Sequence, residues 1–361
     1  MKNLLLFPFA FFINNALELR FSYTDEIFNI KKNKKVTRWL LLLPGSGCAW
    51  AKSSGGCHMC GFKAKIDQIN RGKPASATKL MTIYQLGKSL IAGKSPYSLT
   101  IYNGGSFFND EEIPFEVQQK ICREVEKNSS LEQLMVESRP EFVTEKKIEL
   151  LTSILRRKKL KTAIGLESVT DYVRNVCIHK GFSTKDYEGA VEILKENGAE
   201  ISTYVFLKPL YLTEQESIEE AVRTVRYAFS AASDEVMIES AFIQQGTKME
   251  KLYLEGRFRP PWLWSIIEVV RRTSHLGPVY IGGFEDEPPP IEIPYNCELC
   301  SPRLMDSFRN YNKSLDVSLL HNGYCPCKIE WEKELDYHPF DFLVRKIEQP
   351  IHQKVPILPT I

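Results

Sequence analysis

Leu41-Leu42-Leu43-Pro44-Gly45-Ser46-Gly47-Cys48, continued by Gly55-Gly56-Cys57-His58-Met59-Cys60-Gly61-Phe62, is the stretch on which the fold turns. The leucines read as a buried strand that Pro44 and Gly45 bring to an end. That strand delivers Cys48 into a loop of small residues carrying Cys57 and Cys60. Three thiolates this close, on a flexible loop at the carboxyl end of a strand, suit three irons of a 4Fe–4S cluster. The fourth iron is then left open to a substrate or cosubstrate. The glycines let the loop wrap such a cluster and offer backbone N–H groups to its sulfides. A zinc site of Cys48, Cys57, Cys60 and His58 is the competing reading, but adjacent Cys57 and His58 would strain to meet at one tetrahedral centre.

Outward from this loop, apolar β-rich runs alternate with amphipathic helical stretches. The spacing predicts strands over 39–44, 98–102, 133–136, 161–166, 200–207, 235–239 and 279–281. Most are continuous hydrophobic runs, as expected of a parallel sheet covered on both faces. Helices are expected over 78–92, 115–127, 145–156, 184–197 and 215–231, the fourth opened by Ser183-Thr184 and closed by Asn197-Gly198. Strand and helix alternating in this way predict an α/β fold, either a βα barrel or an open doubly wound sheet.

With 361 residues, 43% hydrophobic and 25% charged, the chain has the composition of a soluble globular protein. The net charge of +2 is too small to argue for nucleic acid, so any such case rests on local clusters. Three stand out: Lys31-Lys32-Asn33-Lys34-Lys35, Arg156-Arg157-Lys158-Lys159-Leu160-Lys161, and Arg257-Phe258-Arg259-Pro260-Pro261-Trp262. Each, taken singly, is an ordinary solvated face. The apolar run at 4–10 is short, contains Pro8 and lacks a small-residue cleavage site, so a buried strand is expected there rather than an export signal. No stretch reaches transmembrane length, and a cytoplasmic protein that makes no use of a membrane is expected.

Glu285-Asp286-Glu287-Pro288-Pro289-Pro290 cannot continue regular structure and marks a boundary. The expected organisation is an N-terminal extension over 1–38, a barrel over 39–286, and a cysteine-rich module with a tail over 287–361. In the module, Cys297-Glu298-Leu299-Cys300 and Cys325-Pro326-Cys327 form two ligand pairs. Structural zinc is favoured, because it would hold together an appendage with little core of its own; an auxiliary iron–sulfur cluster is the alternative. Seven of nine cysteines thus lie in two tight groups, which suits metal ligation in a reducing compartment. Cys122 and Cys177 remain as packing residues.

Between residues 38 and 284 the sequence resembles the radical S-adenosylmethionine (SAM) superfamily, which implies a partial (β/α) barrel holding a 4Fe–4S cluster and SAM. The longer first gap between its cysteines, eight residues and then two, resembles the elongator-catalytic-subunit-like branch. On that resemblance Met59 occupies the position that leans on the SAM adenine. Tyr102-Asn103-Gly104-Gly105-Ser106 resembles the Gly-Gly motif that holds the SAM amino group, with Ser106 in place of the usual acid. Glu137-Ser138-Arg139-Pro140-Glu141 resembles the branch's Arg-Pro-acid segment. Ile164-Gly165-Leu166-Glu167-Ser168 resembles its Gly-aliphatic-Gln-Ser strand end. Glu137, Glu167 and Ser168 are accordingly expected among the SAM-binding residues.

A bare elongator-like barrel followed by a Cys-x-x-Cys … Cys-x-Cys module is similar to the archaeal radical SAM family of archaeosine biosynthesis, known as RaSEA. The resemblance implies a tRNA substrate whose D-arm 7-deazaguanine carries a lysine, an ArcS-type lysine transferase as partner, and an electron donor. It implies cleavage of the lysine C–N bond to leave a formamidine. Arg139, Lys208 and Glu239, all near strand ends, are the candidates for gripping the lysine. Two other readings stand beside this one: a different radical SAM modification of RNA or of a small molecule, and a non-catalytic zinc-dependent RNA-binding protein.

Overall fold

The computed structural model describes residues 21–284, 289–320 and 325–336. The apolar run at 4–10 and the tail with Pro350, Pro356 and Pro359 lie outside the described residues. One eight-stranded sheet runs in chain order: β1 (Ser22–Asn29), β2 (Lys34–Leu42), β3 (Ser98–Tyr102), β4 (Gln133–Glu137), β5 (Lys159–Glu167), β6 (Glu200–Leu207), β7 (Glu235–Ser240) and β8 (Val279–Ile281). From β2 to β8 every neighbour is parallel, so all seven carboxyl ends share one rim. The sequential order is that of a partial βα barrel and not of a doubly wound sheet, in which the order would reverse.

β1 was absent from the sequence expectation. It lies inside the segment read as an extension and pairs antiparallel with β2, from Ser22↔Leu41 to Asn29↔Lys34. The Arg38 guanidinium grips Asp25 at 2.9 and 2.6 Å across this hairpin. β1 and β8 carry no strand ladder, but the Tyr280 hydroxyl donates to the Phe28 carbonyl at 2.7 Å and draws the two edges together.

Most strands alternate. Leu99, Ile101, Leu134, Val136, Ile164 and Ile201 face outward into a core shared with the covering helices, and each is fully buried. Burial of each such side chain contributes about 1.5–3 kcal/mol. Their alternates face inward and are polar: Ser98, Thr100, Gln133, Lys161, Glu200 and Glu235 line a cavity at the amino-terminal end. There Lys31, from the β1–β2 turn, reaches Glu200 at 2.7 Å, and Lys161 reaches Glu235 at 2.7 Å. The hairpin therefore lays ion pairs across the barrel floor.

The helices are α1 (Ala49–Ser54), α2 (Phe62–Asn70), α3 (Ala77–Leu90), α4 (Phe115–Lys127), α5 (Glu145–Ile154), α6 (Thr184–Glu196), α7 (Glu214–Ser230), α8 (Lys248–Leu254), α9 (Leu263–Thr273), α10 (Ser301–Asn312) and α11 (Cys327–Leu335). α6 and α7 each begin with a reciprocal capping box, Ser183 with Asp186 and Thr213 with Glu216. α10 and α11 share one hydrophobic cluster with α7, α9 and β8, so the cysteine-rich segment packs on the barrel flank without a separate core. Among the described residues no helix is long and apolar enough to cross a membrane.

Candidate active site and C-terminal metal centre

The cysteine loop lies across the carboxyl-end rim, anchored to the loops that follow two distant strands. His58 N donates to Ile178 O at 2.9 Å, and the Trp50 indole donates to His179 O at 2.8 Å, both beyond β5. Met249 N donates to His58 O at 3.2 Å, and Gly61 N donates to the Gln244 side-chain oxygen at 2.7 Å, both beyond β7. His58 Nδ1 donates to Cys177 O at 3.0 Å, and its ring stacks on His179 at 5.2 Å. Burial holds the His58 pKa down to about 4, so the imidazole is neutral. These ties make His58 a strut of the loop.

Cys48, Cys57 and Cys60 are reduced thiols. Desolvation pushes the Cys57 thiol up, and desolvation with the neighbouring Cys57 thiol raises the more exposed Cys60 as well. Metal binding must therefore displace protons from them. Gly55 and Gly56, at φ of 83° and 84°, make the left-handed turn between Cys48 and Cys57 that a side chain would strain. Among the described residues, the one set of three or more ligand atoms gathered within 4.8 Å lies elsewhere. The loop thiols are thus too spread for one small ion, while a multi-iron cluster needs spread ligands.

Beside the loop, the Gly-Gly turn is built around a residue that the sequence reading missed. Glu112, fully buried, accepts from Ala49 N at 2.9 Å, Ser106 N at 2.6 Å and Asn109 Nδ2 at 3.0 Å. A Cβ on Gly105 would fall 1.8 Å from this carboxylate, and one on Gly104 would fall 2.3 Å from Ile66 of α2. Ser106 accepts from Arg139 N at 3.1 Å and is fully buried, which makes it a link between β3 and β4. Asn103, 1% exposed, has neither side-chain polar atom satisfied, and Gln244, 1% exposed, has an unsatisfied amide nitrogen. Orphaned buried amides flanking a cysteine loop are what a bound group would satisfy.

The other expected residues divide into two kinds. Met59 is half-buried against the cluster around Val173, Phe206 and Met249. Tyr102, Glu137, Tyr204 and Glu239 share the upper lumen. Burial raises both tyrosine pKa values, and the carboxylates of Glu137 and Glu239 raise them further. Gly282 leaves the room that the Glu239 carboxylate occupies. Glu167, at φ 63°, folds over Gly165 and pairs with Lys180 at 2.7 Å. Arg139, Lys208 and Ser168, by contrast, are engaged in the scaffold. Arg139 pairs with Glu141 at 2.5 Å, donates to Lys180 O at 2.8 Å and lies over the rings of Trp50 and Phe182. Lys208 pairs with buried Glu214 at 2.5 Å, and Ser168 donates to Glu220.

At the flank, Cys297, Cys300, Cys325 and Cys327 bring their sulfurs to 3.4–3.6 Å across four pairs. Four sulfurs about 2.3 Å from one tetrahedral ion would stand about 3.8 Å apart, which matches this spacing. Glu334 of α11 accepts from the Trp262 indole at 2.6 Å and from Arg259 at 3.3 Å, tying the centre to the rim.

The chain is 32% identical over 310 residues to an archaeosine synthase subunit beta of Methanosarcina acetivorans, covering 84% of this chain and 86% of the relative. It is 27% identical over 308 residues to that of Thermococcus kodakarensis, covering 83% and 92%. Among solved structures, an amino-terminally shortened Elp3 of Methanocaldococcus infernus aligns with a TM-score of 0.47 at 15% identity, over 75% of this chain and 62% of that one. No protein-family model matches. The partial barrel carries at its rim the three loop cysteines and the Gly-Gly turn on which the resemblance to the radical SAM superfamily rests. The chain belongs to the archaeosine synthase subunit beta family.

Proposed function

We propose that this chain is the radical SAM enzyme that converts the lysine-adducted 7-deazaguanine of a tRNA D-arm into archaeosine. The bond that breaks joins the lysine side-chain carbon to the amidine nitrogen. Loss of a hydrogen atom and then of one electron from that carbon, the electron passing to a one-electron carrier, gives an iminium. Water hydrolyses it with release of a proton, so the lysine carbon departs as an aldehyde and the nitrogen stays on the base as the formamidine. The observation that carries the reading is the cysteine loop laid over a lumen that holds two carboxylates.

Cys48, Cys57 and Cys60 would hold a 4Fe–4S cluster. Met59, Asn103, Gly104, Gly105, Glu137 and Glu167 would face SAM, with Ser106 and Ser168 bracing the strand ends. Bound there, cluster and SAM together supply a carbon radical able to take hydrogen from an unactivated C–H bond. The chain's own residues position the substrate. Glu239 and Glu137 attract the cationic amidine and lysine ammonium into the lumen, where low dielectric strengthens the attraction. Tyr102 and Tyr204 stay protonated, and Tyr204 donates to the Glu137 carboxylate. Arg139 and Lys208 act as positioning residues beneath the rim. The flank centre would take one zinc ion, a reading its close sulfur spacing supports. The protein would work in the cytoplasm with an ArcS-type lysine transferase upstream and an electron donor.

The test is anaerobic incubation of the protein with reductant, SAM and lysine-adducted tRNA, followed by nucleoside mass spectrometry. Archaeosine should appear. Cleavage of SAM without archaeosine would overturn the substrate assignment and leave the radical SAM assignment standing.

A further inference from the structure

Two of the three basic clusters lie at the wrong end of the barrel for a substrate that must reach the cysteine loop. Lys31–Lys35 span the β1–β2 turn and the start of β2, and Arg156–Lys161 span the approach to β5 and its first residues, both at amino-terminal ends of parallel strands. A strand the length of β2 places them roughly 25–30 Å from Cys48. They are also partly neutralised: Lys31 by Glu200, Arg157 by Glu126, Lys158 by Glu132 and Lys161 by Glu235.

The rim itself carries a basic surface that is scattered in sequence. Between Cys48 and Ala75 lie five basic residues, Lys52, Lys63, Lys65, Arg71 and Lys73, against the single acid Asp67. Asp67 is occupied by Lys63 at 2.7 Å, so four cations keep no carboxylate partner among the described residues. Lys52, Arg71 and Lys73 are exposed. α2, which bears Lys63 and Lys65, packs on Gly104 at the carboxyl end of β3. The turn after it bonds to the start of the cysteine loop, through Asn70 to Gly45 O at 2.6 Å and Ala75 N to Ser46 at 3.0 Å. Across the Gly61–Gln244 contact the surface continues to Lys248, which is exposed and lies 5.5 Å from the centre of the Tyr211 ring. Tyr211 is itself 39% exposed, beyond β6.

We infer that this rim surface, Lys52, Lys65, Arg71, Lys73 and Lys248 with Tyr211, is the RNA-binding face, the cations contacting phosphates and the tyrosine stacking on an unpaired base. The inference rests on the tRNA reading proposed above and adds where the RNA lies. Unpaired cations spaced along one face beside an exposed ring match a folded polyanion with splayed bases. They lie on the elements that hold the cysteine loop, so phosphates bound here would bring a D-arm base toward the cluster.

The experiment compares two variants of the full chain carrying equal charge loss. One is K65Q/R71Q/K73Q/K248Q at the rim; the other is K32Q/K34Q/K35Q/R156Q at the floor. Affinity for the lysine-adducted tRNA is measured between 50 and 300 mM salt, and iron content reports whether each cysteine loop is intact. The rim variant should bind at least about tenfold more weakly, with the slope of log affinity against log salt smaller by about 3. The floor variant should bind as the parent does. A parent that binds tRNA, with a rim variant that binds equally well, overturns the inference; that result would assign the rim charges to a protein partner. A parent that binds no tRNA at any salt overturns the RNA reading itself.

Discussion

Removing the Glu112 carboxylate should destabilise the chain at the point where the cysteine loop meets the Gly-Gly turn. Glu112 is fully buried and accepts three hydrogen bonds, two of them from the backbone of Ala49 and Ser106. Glu112→Ala leaves those two donors and the Asn109 amide without an acceptor, at about 1–3 kcal/mol for each. Loss of a buried charge returns part of its desolvation cost, since burial already raises the Glu112 pKa. The net is about 3–5 kcal/mol, a large share of a total stability of roughly 5–15 kcal/mol. Glu112→Gln keeps one acceptor but turns an NH2 group toward a donor, and should cost about 2 kcal/mol. Urea unfolding of the anaerobic protein by circular dichroism measures both, and iron content follows the loop. The order should be parent, Gln, then Ala, with iron falling in step. An Ala variant within about 1 kcal/mol of the parent that holds its full iron would refute the clasp.

The flank cysteines should bind about one zinc per chain, and Cys300→Ala should lower the melting temperature while sparing the chromophore of the loop. Extra iron with no zinc in elemental analysis would reject that. Gly282→Ala should push the Glu239 carboxylate aside and slow tRNA conversion by about tenfold or more at unchanged iron content, because the substrate would sit out of line. Unchanged turnover would remove Glu239 from the substrate site. The Ser183 backbone N–H and then its hydroxyl hold the Asp186 carboxyl below its ordinary 3.8. Its capping contribution, about 1 kcal/mol, is therefore present above pH 3.8 and fades as pH falls further. Asp186→Asn should flatten that part of the unfolding profile below pH 4; a profile as steep as the parent's would place the titration elsewhere.

The parallel strands were legible from their apolar residues, although most alternate with polar residues that face the lumen and are not the continuous apolar runs expected. Leu99 and Ile101, and likewise Leu134 and Val136, sit at 0% exposure where the pattern put them. β1 was not legible: Ser22-Tyr23-Thr24-Asp25-Glu26 is an edge strand, polar and half exposed, and only its pairing with β2 makes it a strand. The loop cysteines were visible as a spacing. Glu112 and Gln244 were not, since one lies beyond the Gly-Gly motif and the other across the barrel from Gly61, and only folding brings them to the loop. Charge runs along the chain drew attention to Lys31 and Arg156, whereas helix geometry gathers Lys52, Lys65, Arg71 and Lys73 from positions that make no run.

The central claim is that Cys48, Cys57 and Cys60 hold the redox centre. It is tested most directly by purifying the parent and the three single Cys→Ala variants anaerobically, then measuring iron, absorbance near 400 nm and reductive SAM cleavage on the same samples. The parent should carry about four loop-bound irons per chain, absorb there and release 5′-deoxyadenosine, and each variant should lose all three signals while keeping its flank metal. A Cys57→Ala protein that retains full iron and cleaves SAM at the parent rate would contradict the account.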